Sequence, residues 1–415
     1  MAQIDRPGSW ADTSIAYAGL GSGLTQTTTR GNSRTVTTMD AFHRPTVVRA
    51  DDLTGHSQSV YNKTTYDALG RATFSSFPSY SSSATTGVNT TYDALGRVTQ
   101  TQENVTPFAT TATVYLSGGQ VRVTDPSGAQ MTTTYRSFGS PSMDEPTQIQ
   151  QPLGMTTSMS YDIWGNLLSA SQGGFTQTWT YDSRLRLCNH YTPEQGGTVY
   201  DYNDENEPLY EARGQGTGCS SNVSDRVRFN YDTLGRRKAI YFPSGTFDIS
   251  TNFDDNGNVL TRTRGGIVWT YTYNELDLLT SETLTIDGKT FATTYGYDPT
   301  ANLSSQNLPG GATLTFNPNG FGQPRQATDG GYNYASNATY FANGAAERYD
   351  LGNARHLTNQ QNARQQISRI WYGNGFVWAI DYNANGQITS INDLYDNSRD
   401  RTYGYDALGR FSTAS

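Results

Sequence analysis

Three observations predict an all-β fold of antiparallel hairpin repeats joined in one sheet. A turn hexapeptide is written identically three times, looser copies of it recur mostly at steps of 19 to 27 residues, and windows with helical periodicity are scarce. Tyr-Asp-Ala-Leu-Gly-Arg stands at 66–71, 92–97 and 405–410, and related strings begin at Met39, Tyr161, Tyr181, Tyr231, Phe253, Tyr273, Tyr297, Phe316, Tyr340 and Tyr382. A step of that length holds two strands and two turns, with no room for a helix as well.

The motif itself explains the turn. Asp belongs at the first corner of a type I turn, where its carboxylate accepts from the backbone two residues on, and Gly belongs where φ is positive. The product is a three-residue hairpin loop closed by a Gly bulge. The aromatic residue ends the incoming strand and Arg or Asn opens the outgoing one. Side chains alternate faces along a strand, so the rings should line up as a ladder across neighbouring strands and form the core.

The segments between turns read as strands. Residues 88–92 (VNTTY), 131–136, 177–182, 267–274 and 291–298 are rich in Thr, Val and aromatics with period-two alternation. Before Asp40 the chain is a degenerate entry repeat (1–38), recognisable repeats fill 39–410, and 411–415 is a strand just leaving a turn, so a single array occupies 1–415. The best helical window, 359–370 (NQQNARQQISRI), carries apolar residues only near its end and is read as a long loop or a degraded repeat. Between 335 and 381 the copies around Gly352–Ala354 and Asn362–Ala363 depart from the turn rule.

The aromatic-Asp-x-x-Gly-Arg signature at this spacing resembles the YD-repeat, or Rhs-repeat, family over roughly Asp40 to Arg410. Relatives in that family include bacterial Rhs polymorphic toxins, the B and C subunits of Tc toxin complexes, wall-associated proteins and the teneurins. The resemblance implies a long sheet wound into a hollow shell, which in toxin members encloses a C-terminal toxic domain. The plug segment with its Asp-based self-cleavage site, and the effector after it, are not seen after Arg410. The chain is therefore expected to be a piece cut from a longer array, and protease activity is not carried over.

Composition fits a scaffold. Hydrophobic residues make up 34% and charged residues 16%, and 28 Tyr outnumber 16 Phe, so the rings are mostly of the kind that tolerates a wet edge. A net charge of −8 without a basic cluster argues against nucleic-acid binding. No apolar run approaches the roughly 20 residues needed for a helical membrane span. No secretory leader is visible at the start.

Cys188 and Cys219 could form a disulfide across hairpins or remain two buried thiols, and sequence leaves both open. His43, His56, His190 and His356 share no metal-binding spacing. The Gly-rich run 214–221 (GQGTGCSS) lacks the Lys-Ser/Thr ending of a phosphate loop and reads as an inter-strand loop. Two oxygen-rich clusters, Asp201, Asn203, Asp204 and Glu205, then Asp254, Asp255, Asn256 and Asn258, miss the ligand spacing of a calcium loop and are explained by turn chemistry. Sequons at Asn62, Asn89, Asn104, Asn222, Asn302 and Asn337 are expected by chance in so Asn- and Thr-rich a chain.

These readings predict no catalytic residue, no cofactor and no metal. The expected role is a non-enzymatic structural shell of a secreted or cell-surface protein, enclosing or presenting an attached cargo polypeptide absent from this chain. The alternatives are an extracellular fibre that grows by adding neighbouring repeat subunits to open strand edges, and an adhesin that stacks surface glycans on Trp10, Trp164, Trp179, Trp269, Trp371 or Trp378. Trp179 and Trp269, inside alternating strands, read more naturally as core. A sheet of about fifteen hairpins should make a strip or an incomplete turn of wall.

Overall fold

The alternation of Thr, Val and aromatic residues is realised as strands throughout. A computed structural model describes residues 2–6, 8–19, 23–54, 58–138, 140–220, 225–245, 248–373 and 375–415. His56 and Asn222 lie outside the described residues. Among the described residues thirty-seven strands, from Ala2–Ile4 to Phe411–Ala414, form one long antiparallel sheet, more than about fifteen hairpins require. Among the described residues the only helical elements are single 3₁₀ turns at Pro152–Gly154 and Asn397–Arg399.

Pairing is local. Gly87–Tyr92 pairs with Val98–Glu103, with Val88 opposite Glu103 and Thr90 opposite Thr101. The register then slips between Thr91 and Tyr92, and the same slip falls at Tyr66, Tyr181, Tyr231, Tyr273 and Tyr382. A bulge thus sits at the motif aromatic each time, as the three-residue loop demands.

The chain divides into two compact units. One comprises 1–114, 123–129 and 295–415, the other 115–122 and 130–294. Within the first, early and late repeats meet along a seam. Ala11 donates its backbone N–H to the Pro299 carbonyl at 2.7 Å, Gly320 donates to Asp52 Oδ1 at 2.8 Å, and the Tyr80 hydroxyl donates to the Tyr340 carbonyl at 2.5 Å. Further along, Gln365 Nε2 donates to the Pro78 carbonyl at 2.7 Å, Arg364 pairs with Glu103, and Asn385 Nδ2 donates to Asp125 Oδ2 at 2.9 Å. The partners advance together along both stretches. Asp52, only 2% exposed, also accepts from the N–H and hydroxyl of Thr54, so its burial is matched by donors.

In the second unit the most buried point lies on Leu187–Thr192, Gly196–Tyr202 and Pro208–Gln215, where Val199 and Asn189 are fully buried and Ala212 nearly so. Cys188 is joined to Cys219 by a disulfide, resolving the open pairing. Asn189 Nδ2 donates to the carbonyls of Gly216 at 2.9 Å and Gly218 at 2.8 Å, so the Gly-rich run is pinned to the sheet through its described residues rather than hanging free.

The expected aromatic core is corrected by burial. Fully buried apolar side chains among the described residues are few and mostly small, such as Val105, Ala109, Val199 and Ala239, while the motif rings are half-buried. The accessible surface is 23410 Å², against roughly 16,000 Å² for a close-packed monomer of this mass. A sheet wetted on both faces cannot rely on a thick apolar interior. The rings are held by other means.

In the stretch 335–381 the degraded-repeat alternative holds and the long loop does not. The window 359–370 spans the end of the strand His356–Gln361, a turn at 362–366 and the start of the strand Ile367–Tyr372. Turns at 351–355 and 362–366 keep the repeat's backbone hydrogen bonds, with Ala354 (φ 60°) and Gln365 (φ 61°) in the left-handed region where other repeats use Gly. The backbone turn survives without its glycine and with Leu351 or Asn362 in place of its Asp.

Candidate functional site: the ladder between repeats

The site begins with the Asp of each turn. Asp67 Oδ1 accepts from the N–H groups of Leu69 and Arg71, both at 2.9 Å, while Oδ2 accepts from Arg71 Nε at 2.7 Å. The backbone closes the loop, with the Asp67 N–H donating to the Arg71 carbonyl and the Gly70 N–H to the Asp67 carbonyl. The same set recurs at 93–97, 182–186, 232–236 and 406–410. The Arg71 N–H holds the Asp67 carboxyl below its usual value near 3.8, aided by the guanidinium and opposed by partial burial. Asp40 is lowered likewise, first through the Arg44 side chain.

The Arg then reaches out of its own repeat. Arg71 Nη1 donates to the Asp93 carbonyl at 3.1 Å, and its guanidinium lies 4.7 Å from the centre of the Tyr92 ring. Arg186 does the same to Asn203 and Tyr202, and Arg236 to Asp254 and Phe253.

The next Tyr reaches back. Tyr92 donates its hydroxyl to the Ala72 carbonyl at 2.8 Å, one residue past Arg71. The same offset holds for Tyr66 to Pro45, Tyr181 to Leu167, Tyr202 to Leu187, Tyr231 to Pro208, Tyr273 to Val259, Tyr382 to Ile367 and Tyr405 to Ile388. Tyr340 donates to Pro324 by the same rule. Asp, Arg and Tyr therefore form a two-way latch between successive turns. Sequence reading found these residues but missed the reach between repeats, since spacing alone does not say which atoms meet.

Where the motif is worn, the pair changes together. Asp162, Asp254 and Asp298 accept from the side-chain amides of Asn166, Asn258 and Asn302. Asn203 donates to Glu207, and Asn319, Asn362 and Asn383 donate to Gln323, Gln366 and Gln387. In these turns donor meets acceptor, whereas Asp125 and Asn274 face Ala129 and Leu278 and across the loop accept only from backbone N–H groups. Such pairing accounts for part of both oxygen-rich clusters: Asn203, Asp254 and Asn258 cap turns, Asp204 pairs with Arg184, and Asn256 donates to Asp277. Among the described residues, no group of three or more His, Cys, Asp or Glu side chains is placed to hold a metal ion.

The other candidates are dispersed. His43 occupies a left-handed turn position at φ 60°, and His190 stacks on Trp179 with ring centres 4.8 Å apart. Trp164 is 69% exposed on a turn, whereas Trp179 and Trp269 are half-buried. Tyr372, Phe376 and Trp378 stack face to face, at 5.2 and 4.6 Å between successive ring centres. Asn104 and Asn302, two of the sequons, use their side-chain amides inside the structure. No described helix is long and apolar enough to cross a membrane.

Residues 117–263 match the family model described as Teneurin YD-shell, and 253–290 match the RHS Repeat model. Over those residues the chain is similar to YD-shell and RHS repeats. The fold is similar to that in the crystal structure of TcdB2-TccC3-TEV, with a TM-score of 0.77 and 15% identity over 97% of this chain. It is also similar to TcdB2-TccC3 without its hypervariable C-terminal region (TM-score 0.75, 15% identity, 97% covered) and to the Photorhabdus luminescens Tc holotoxin pore (TM-score 0.67, 15% identity, 97% covered). The chain spans 24% of the length of each of these solved chains. No curated protein sequence matches it.

Proposed function

We propose that this chain is a stretch of structural wall, without catalytic activity of its own, in a secreted or cell-surface protein that encloses or presents an attached cargo polypeptide. One observation carries the reading: the motif residues Tyr, Asp and Arg are committed to one another from turn to turn, so what repeats along the chain is a means of construction. The Tc toxin structures support it at the level of fold. A low charge content and the Cys188–Cys219 disulfide suit an oxidising, extracellular setting.

The test uses the full-length polypeptide that contains this segment. Cryo-EM maps should show density inside a curved wall, and limited proteolysis should spare that inner segment until the wall is unfolded. An inner segment cut as fast as a free peptide would sink the reading. The fibre alternative makes a different forecast, light scattering that climbs with protein concentration. Its motivating feature is Phe411–Ala414, whose four residues are exposed and which pairs with Arg401–Tyr405.

A further inference from the structure

In the first unit the strands run between two rims, with motif turns along one and connecting loops along the other. The seam obeys a single rule: motif turns of late repeats meet connecting loops of early ones. Turns 298–302, 319–323, 362–366 and 383–387 reach Ala11, Asp52, Pro78 with Glu103, and Asp125, in that order. In three of the four, the third residue of the turn projects across. Thr300 occupies the space where a side chain on Gly31 would stand, Arg364 pairs with Glu103, and Asn385 reaches Asp125.

Early repeats carry a third residue on the same turn, on the same rim, and leave it in solvent. Phe42, Leu69 and Leu95 are 79%, 74% and 77% exposed. Their turns are neighbours, since Arg44 lies against the Tyr66 ring and Arg71 reaches the Asp93 carbonyl. Two strands separate successive turns, roughly 10 Å, so the tips make an apolar row about 20 Å long. Alanine stands before each of them, and the Asp and Arg that flank them are paired within their own turns. The row therefore offers hydrophobic contact and no free charge, as an interaction surface does.

The partner that fits is written in the seam, where a rim of motif turns meets connecting loops. Late repeats have connecting loops with apolar side chains in solvent. Leu394 and Tyr395, after the strand Ile388–Asp393, are exposed, and so are Tyr332 and Tyr334, packed edge to face at the start of Tyr332–Tyr340. We propose that Phe42, Leu69 and Leu95 dock on the connecting-loop rim around Leu394 and Tyr395 of a second copy of this chain. Unlike surfaces meet in such a contact, so copies add head to tail. The contact runs between rims and not strand edges, and it holds with or without an enclosed cargo.

Sedimentation velocity of the intact chain across a concentration series tests this. The wild-type weight-average mass should rise about twofold or more above that of the monomer. Leu69→Asp combined with Leu95→Asp, or Tyr395→Asp alone, should hold the protein monomeric; these side chains are exposed, so the fold is not at stake. An equimolar mixture of the two variants should give a dimer and nothing larger, because each pair retains one intact contact. Ala414→Pro should change nothing. Ser415 and Thr402 exchange both backbone hydrogen bonds, so the Ala414 N–H lies on the open strand edge and proline there blocks edge pairing alone. A wild-type chain that stays monomeric overturns the proposal, as does association that survives either rim variant or a mixture that stays monomeric. Association lost only with Ala414→Pro overturns it in favour of the strand edges.

Discussion

The turns at 40–44, 67–71 and 93–97 and those at 319–323, 362–366 and 383–387 close with the same backbone hydrogen bonds, yet share almost no side-chain chemistry. The early set pairs Asp with Arg, an ion pair; the late set pairs Asn with Gln, two neutral amides. In both, the first side chain accepts from the backbone N–H four residues on, at 2.9 to 3.1 Å. What these two sets share is a complementary pair across the loop, not a charge. The late set also retains a link to the next turn, since Gln387 Nε2 reaches the Gly409 carbonyl at 2.7 Å, in place of the guanidinium stacked on a ring.

Acid should separate the two sets most sharply. The Asp carboxyls of the early turns have folded-state values below the ordinary 3.8, so their stabilisation is complete above that value and is lost as pH falls through the lowered one. The amide pairs do not titrate. Hydrogen exchange followed at pH 7 and near pH 2.5, corrected for intrinsic rates, should show the early turns losing roughly tenfold more protection than the late ones. Equal losses in both would show that the ion pairs do not hold the early turns.

The left-handed turn position gives a smaller effect of opposite sign in early and late turns. Gly96→Ala, at φ 81°, should cost about 1–2 kcal/mol, whereas Ala354→Gly in the late turn at 351–355, relieving a side chain at φ 60°, should gain about 1 kcal/mol. Chemical denaturation of each variant reads both. Tyr92→Phe removes the hydroxyl bond to Ala72 while keeping the ring under Arg71, and a loss of about 1 kcal/mol is expected. Phe253, which sits under Arg236 with no hydroxyl to donate, is the natural precedent for a repeat that does without it. Least of all should change when Asp67→Asn and Arg71→Gln are combined, converting an early turn to the late chemistry. The melting temperature at pH 7 should move little, but that turn's acid sensitivity should vanish.

How much of this was legible depended on distance along the chain. The hairpin at 92–97 could be read from six residues because Asp and Gly each dictate a local backbone conformation. The turn at 362–366 was obscured because Gln365 sits where Gly is expected, and no pattern marks a strained residue as tolerated. The ladder required knowing that Tyr92 meets the carbonyl after Arg71, a three-dimensional fact that a 20-residue period leaves open. The seam was beyond reach: Asp52 with Gly320 and Glu103 with Arg364 are separated by more than 260 residues, with no signature tying one to the other. Asn385 and Asp125, joined across the same seam, are 260 residues apart.

The backward reach of each tyrosine has a consequence for synthesis. Each motif tyrosine of the ladder finds its acceptor in the hairpin made before it, at a carbonyl fixed by a completed turn. A polypeptide leaving the ribosome N-terminus first therefore presents each new hairpin with a finished docking edge, and contacts stay short in sequence for most of the chain. Only when the late repeats emerge does the seam ask for partners from far upstream, and by then those partners are already in place.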